Sequence, residues 1–165
     1  NYGCVPSKAL IAAAHRAHAM RTASAFGIAS VEPRVDWAMV KAHIKSVIAA
    51  IEPNDSQTRF EGFGVTVIRE RARFSDTQTV TSDSARVRAR RIVIATGSRA
   101  AIPPVEGLTD VRYETNESIF GLNELPQRLI VLGGGAIGVE LGQAFQRLGS
   151  KVVIVEAARA LGSMD

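Results

Sequence analysis

Two stretches hold residue types at spacings that could do chemistry. The first is Gly133-Gly134-Gly135-Ala136-Ile137-Gly138-Val139-Glu140, entered directly from Ile130-Val131-Leu132. Gly133, Gly135 and Gly138 fit the spacing G-x-G-x-x-G. Such a loop turns a strand tightly into a helix, lets backbone approach a pyrophosphate, and lets the helix pack close to the strand. Free N–H groups at the helix start face the phosphates. Lys151-Val152-Val153-Ile154-Val155 reads as a second strand, and Glu156 ends it 18 residues beyond Gly138. A carboxylate there accepts from a ribose 2′-OH and repels a 2′-phosphate, so NAD is favoured and NADP disfavoured. Arg159, three residues on, weakens that bias. On residues alone the loop also suits a flavin or another nucleotide.

The second stretch is Gly3-Cys4-Val5-Pro6-Ser7-Lys8. A cysteine at the entrance of a helix, with a lysine one turn on, sits where dipole and charge favour a thiolate. A lone cysteine is more often structural, and by itself this one says little. Cys4 is the only cysteine, so an internal disulfide is excluded, as is an all-cysteine metal site within the chain. His15, His18 and His43 lack the set of neighbours that zinc needs, and no metal site is expected.

These residues must be positioned by regular elements. Ser7 to Ala25 reads as an alanine-rich helix, with Pro6 at its entrance and small residues suited to close packing. Trp37 to Ile51 reads as a helix N-capped by Asp36, with Val40, Ile44, Val47 and Ile51 as its apolar stripe. Pro53 ends or kinks it, and further helix reaches Arg59. Short strands are expected at Val65–Ile68, Ala72–Phe74, Thr77–Thr81 and Arg86–Ala89, with turns at Asp76 and Asp83. Arg91-Ile92-Val93-Ile94-Ala95 reads as a buried parallel strand. Pro103-Pro104 marks an extended crossover, and Asn116–Phe120 a short helix. Then follow a strand at Leu129–Leu132, a helix at Ala136–Leu148 and a strand at Lys151–Glu156.

The 165 residues are 46% hydrophobic and carry a net charge of +4, from 20 basic and 16 acidic side chains. That charge is a mild bias. Arg69, Arg71 and Arg73 alternate, as do Arg86, Arg88 and Arg90, but neither run has neighbouring aromatics or a recognition element. They read as solvated strand faces, and no nucleic-acid partner is expected. No stretch has the length of a membrane span and the start does not resemble a targeting peptide. The expectation is a cytoplasmic protein without a transmembrane segment. The missing initiator Met points to a fragment, a processed chain or a partial region.

The order of these motifs strongly resembles the flavoprotein pyridine nucleotide-disulfide oxidoreductases, which include dihydrolipoamide dehydrogenase, glutathione reductase and mercuric reductase. Asn1-Tyr2-Gly3-Cys4-Val5-Pro6-Ser7-Lys8 matches the second half of that family's redox segment. Ala95-Thr96-Gly97 resembles its second flavin-contact segment, and Arg71-Ala72-Arg73-Phe74 the stretch beside the flavin adenine. The resemblance implies FAD and NAD as cofactors. It implies that Cys4 is the flavin-proximal cysteine, with its disulfide partner two positions before Asn1. It also implies that Lys8 lies beside the flavin and pairs with Glu140 near the nicotinamide. Lys8, Ala72, Ala95, Thr96 and Gly97 would then contact FAD. Gly133 to Glu140, with Glu156, would contact the nicotinamide nucleotide.

The implied fold is α/β: a partial FAD-binding Rossmann-like domain at 1–105 with a small antiparallel insertion, a crossover at 106–125, and the start of an NAD-binding domain at 126–165. The implied parent enzyme moves electrons between NAD(P)H and a disulfide, acts on a small or lipoyl-type thiol or disulfide, and is a homodimer. Dihydrolipoamide dehydrogenase is the leading expectation, since Glu156 leans away from the NADP-preferring glutathione reductases. A mercuric-reductase-like enzyme is the alternative, faintly favoured by Ala14-His15-Arg16-Ala17-His18. A nucleotide-binding module without turnover is the reading from a different class. With one cysteine and two incomplete domains, the chain by itself is expected to be inactive.

Overall fold

A computed structural model describes residues 3–162. Asn1 and Tyr2, which begin the redox-segment match, lie outside the described residues, as do 163–165. The chain divides into two compact units, Asn1–Glu52 with Pro104–Asp165, and Pro53–Pro103.

In the first unit α1 runs over Cys4–Thr22 and tightens into a 3-10 turn at Ala23–Phe26. The helix starts three residues earlier than expected, so Cys4 is its first residue rather than part of the segment that leads into it. Pro6 is tolerated because it lies in the first turn, where its missing N–H has no intrahelical acceptor. The turn ends at Gly27, whose φ of +75° suits a residue without Cβ. Helix α2 covers Trp37–Ile51, as the sequence predicts, and Asp36 caps it by accepting from the N–H groups of Ala38 and Met39 at 2.9 and 3.2 Å.

The second half of this unit is strand β4 (Arg128–Leu132), helix α4 (Ala136–Leu148) and strand β5 (Lys151–Val155), with β4 and β5 parallel and in register from Arg128–Lys151 to Leu132–Val155. The predicted helix at Asn116–Phe120 appears as a 3-10 turn at Ile119–Gly121. Helices α1, α2 and α4 share one core. The alanines Ala9, Ala14 and Ala17 let α1 come close, and Leu10 and Phe145 are fully buried. Burying a side chain of that size stabilises by about 1.5–3 kcal/mol. Trp37 stacks obliquely on Phe145 at 5.7 Å and donates from Nε1 to the Leu122 carbonyl at 2.9 Å. That bond satisfies the indole N–H while the ring stays in the core.

The second unit holds the short helix α3 (Gln57–Gly62), capped by Ser56, and a three-stranded antiparallel sheet of β1 (Arg73–Asp76), β2 (Thr79–Thr81) and β3 (Arg86–Arg88). Asp76 makes the first turn by accepting from the Gln78 N–H at 2.8 Å. The arginines of β1 and β3 are exposed, as expected of solvated strand faces.

Two expected strands do not form. Residues 65–68 and 91–95 form no regular element and join no sheet among the described residues. Val93 is 87% exposed, so the apolar run expected to be buried is open. A strand is held by its neighbours' hydrogen bonds, and these segments have no neighbour within the described residues.

The compact units follow different lines from the expected cofactor modules. The expected boundary at 106–125 follows the order of motifs, whereas compactness follows the packing of α1 and α2 on α4.

Candidate functional site

The glycine loop forms where β4 runs into α4. Gly133 continues the ladder by donating its N–H to the Val155 carbonyl at 2.9 Å, then turns with φ at +113°. A Cβ there would be strained. At Gly138 a Cβ would collide with the Gly133 carbonyl oxygen, so only glycine lets α4 fold back onto its own loop. Gly135 is the N-cap of α4 and no side chain caps that end. A Cβ on Gly135 would meet nothing within 4 Å. The first turn of α4 therefore opens on free space with uncapped N–H groups, the features a pyrophosphate needs. Ala136, Ile137 and Val139 form the first turn of α4, and Ile137 is exposed. These residues fit a dinucleotide.

Glu156 follows β5. One carboxylate oxygen accepts from the Gly134 N–H at 2.6 Å and the other from the Ala158 N–H at 3.1 Å. Those N–H groups, Gly134 first, hold its carboxyl below the usual glutamate range. This engagement with the loop was not foreseen from the sequence. The signal was available: the end of β5 adjoins the end of β4, so a long side chain at 156 lies within reach of the loop.

Glu140 lies one turn into α4. Lys8 lies one turn beyond Cys4 on α1. The Lys8 ammonium donates to both oxygens of Glu140, at 2.9 and 2.8 Å. The expected ion pair therefore forms, with the two side chains 60% and 48% exposed. Cys4 is exposed and unpaired, and lies with Val5, Lys8, Ala9 and Ala12 along an open groove of about 510 Å³. The far wall is α2, through His43, Val47 and Ile51. Sequence reasoning missed His43 as a neighbour of this groove, because only the packing of α2 on α1 places it there. His15 instead meets Arg147 of α4 at 3.2 Å.

The other residues expected to face a flavin, Ala72, Ala95, Thr96 and Gly97, belong to the second unit. All lie in irregular backbone, and Gly97 has φ at +71°. Cys4 and Lys8 belong to the first. Among the described residues there is no group of histidine, cysteine, aspartate and glutamate that could hold a metal, and no helix is long and apolar enough to cross a membrane.

Comparison with known proteins gives the family and the fold. The family model described as pyridine nucleotide-disulphide oxidoreductase matches residues 1–165. A mercuric reductase from Lysinibacillus sphaericus is 31% identical over 98% of this chain and 30% of its own length. One from Streptomyces lividans is 35% identical over 96% of the chain and 35% of its own length. The HOCl-induced flavoprotein disulfide reductase RclA from Escherichia coli, solved as a Cu(II) complex, superimposes over all of this chain and 34% of its own, with a TM-score of 0.74 and 27% identity. The chain thus spans about a third of the proteins it matches. These relatives favour the mercuric-reductase alternative over the dihydrolipoamide dehydrogenase expectation. The fold is α/β and matches part of the Rossmann-like architecture that binds FAD and NAD(P)H in this family. On a family match over residues 1–165 and the glycine loop that fits a dinucleotide, the chain belongs to the pyridine nucleotide-disulphide oxidoreductase family.

Proposed function

We infer that this chain is the redox-helix and nucleotide-loop part of an oxidoreductase that carries electrons from NAD(P)H, through FAD, to a disulfide that includes Cys4, and from there to a soft metal ion. The observation that carries this reading is the two-point bond between Lys8 and Glu140. It joins the helix that starts at Cys4 to the helix that starts at the dinucleotide loop. An exposed ion pair contributes only about 0–1 kcal/mol, so its value lies in placement rather than stability.

When bound, FAD and the nicotinamide nucleotide supply the hydride and electron transfer. The chain's own residues bind and orient. Gly133, Gly134, Gly135, Ala136, Ile137, Gly138 and Val139 form the pyrophosphate loop and first turn. Lys8 keeps a positive charge one turn from Cys4, and Glu140 fixes the position of that charge. Lys8, Ala72, Ala95, Thr96 and Gly97 are the proposed flavin contacts. Cys4 is the proposed redox sulfur, and its disulfide partner is a cysteine other than the single one on this chain. Two electrons and two protons would open that disulfide to two thiols, and passing the two electrons on to a divalent acceptor would re-form the disulfide, release both protons and leave the acceptor as neutral metal. Glu156 stands at the end of β5, beside the loop, and accepts from the Gly134 N–H.

The mercuric acceptor is preferred to dihydrolipoamide because the relatives from Lysinibacillus sphaericus and Streptomyces lividans that share this segment are named mercuric reductases. The test is steady-state turnover by the full-length protein. Oxidation of NADH or NADPH that depends on Hg(II) is expected. Turnover with dihydrolipoamide and NAD⁺, and none with Hg(II), would overturn the mercuric reading and restore the dehydrogenase one.

A further inference from the structure

The turn that follows β5 folds back on the glycine loop. Besides the two bonds of Glu156, the Leu161 N–H donates to the Gly134 carbonyl at 2.9 Å. Both backbone polar groups of Gly134 are thus held by the 156–161 turn. The contact is also steric. A Cβ on Gly134 would lie 3.2 Å from the Cβ atoms of both Ala160 and Glu156. A Cβ on Gly135 would meet open space. So the middle glycine of the triplet faces the protein, and the next one faces the place for a ligand. Gly134 is also the variable position of G-x-G-x-x-G, where nucleotide binding asks for no glycine.

We propose that Glu156 is a positioning residue for the glycine loop, and that it governs nucleotide binding mainly by holding Gly134 in the shape that accepts a pyrophosphate. The inference rests on the dinucleotide reading of the loop and deepens it. In the simpler view a carboxylate at this position only selects, by accepting from a 2′-OH and repelling a 2′-phosphate. In the latch view both its oxygens are already engaged, one by the Gly134 N–H of the loop and the other by the Ala158 N–H of the turn. Removing it loosens a structure on which NAD⁺ and NADP⁺ depend alike. A charge-assisted hydrogen bond is the stronger kind, and an N–H that loses its acceptor is left to water or to an altered loop.

The two views separate in the full-length holoenzyme, by calorimetric titration with NAD⁺ and NADP⁺ and by amide hydrogen exchange at Gly134. With Glu156→Ala, affinity for both nucleotides is expected to fall in parallel by about tenfold or more, the scale of one lost charged hydrogen bond. Exchange at the Gly134 amide is expected to quicken. With Glu156→Gln the amide oxygen can still accept from Gly134, so exchange stays slow and most affinity for both nucleotides is kept. A second pair of variants tests the steric half. Gly134→Ala should weaken both nucleotides, and adding Ala160→Gly, which removes one of the two crowded Cβ atoms, should restore part of the loss. The proposal is overturned if Glu156→Ala loses NAD⁺ and gains NADP⁺ while Gly134 exchange is unchanged, or if Ala160→Gly rescues nothing. Failure of the native protein to bind either nucleotide would instead overturn the dinucleotide reading itself.

Discussion

Lys8 of α1 and Glu140 of α4 stand 132 positions apart in sequence and share two hydrogen bonds of 2.9 and 2.8 Å. The pair is possible because Ala9, Ala14 and Ala17 of α1 lie buried in the core that Leu141, Ala144, Phe145 and Leu148 of α4 complete. Substituting Glu140→Gln should therefore cost little stability, about 0–1 kcal/mol, because both partners are partly exposed. Flavin reduction by NADH in the full-length protein should slow by a larger factor. Urea unfolding and stopped-flow absorbance would check the two halves. Equal losses in both would mean that the pair only supports the fold.

Cys4→Ser should separate the two half-reactions of the full-length protein. Reduction of the flavin by nicotinamide nucleotide should persist, and reduction of Hg(II) or of a disulfide should fall to background. The serine fits at the first position of α1, where Cys4 is exposed, so circular dichroism should be unchanged. Retained acceptor reduction would remove Cys4 from the redox role.

Gly138→Ala and Gly135→Ala should fail in different ways. At Gly138 the added methyl meets the Gly133 carbonyl, and overpacking of this kind costs about 1–3 kcal/mol. Thermal unfolding would show it. At Gly135 the backbone angle is ordinary, with φ at −72°, and the methyl meets open space. Stability should hardly move, while nucleotide affinity should fall about tenfold, a loss on the order of 1.4 kcal/mol. If Gly135→Ala binds nucleotide as well as the native protein, the ligand does not approach at that residue.

Asp36→Ala should destabilise the chain by about 1 kcal/mol, since it leaves the Ala38 and Met39 N–H groups without their acceptor. Asp36→Asn should recover most of the loss. Chemical denaturation would measure both.

Glu70 should give the second unit an acid-sensitive contact. The Ser82 hydroxyl, the Ser84 hydroxyl and the Ser84 N–H hold its carboxyl down to about 2, against an ordinary 4.5. The Ser84 groups make full hydrogen bonds, at 2.5 Å from the hydroxyl and 2.9 Å from the N–H, whereas the buried Ser82 hydroxyl falls short of bonding geometry. The folded state takes up this proton later than the unfolded chain does. The contribution is therefore complete above about pH 4.5 and is lost as pH falls toward 2. Hydrogen exchange of the Ser84 amide across that range should follow this curve, and Glu70→Gln should flatten it. An unchanged profile in Glu70→Gln would assign the acid sensitivity to another group.

Much of the local structure was legible in advance. The span and cap of α2 and the span of α4 follow from apolar periodicity and from residues suited to helix ends. The hairpin strands shifted by one or two residues, as strand ends do when turn geometry decides them. The Arg91–Ala95 run misled because its composition signals burial without saying against what. The start of α1 was misjudged because Pro6 reads as an entrance, although a helix admits proline anywhere in its first turn.

By itself, the sequence determined where α2 and α4 coil, and that Arg128 to Glu156 forms a nucleotide-type strand, loop, helix and strand. Those outcomes rest on backbone sterics and on side chains within a few positions of one another. Only the tertiary structure decided how exposed the expected Lys8–Glu140 pair is, that His43 walls the groove beside Cys4, and that Glu156 turns to Gly134. Each depends on how whole elements pack, α1 on α4, α2 on α1 and β5 beside β4. Such contacts join residues too far apart for any local pattern to encode.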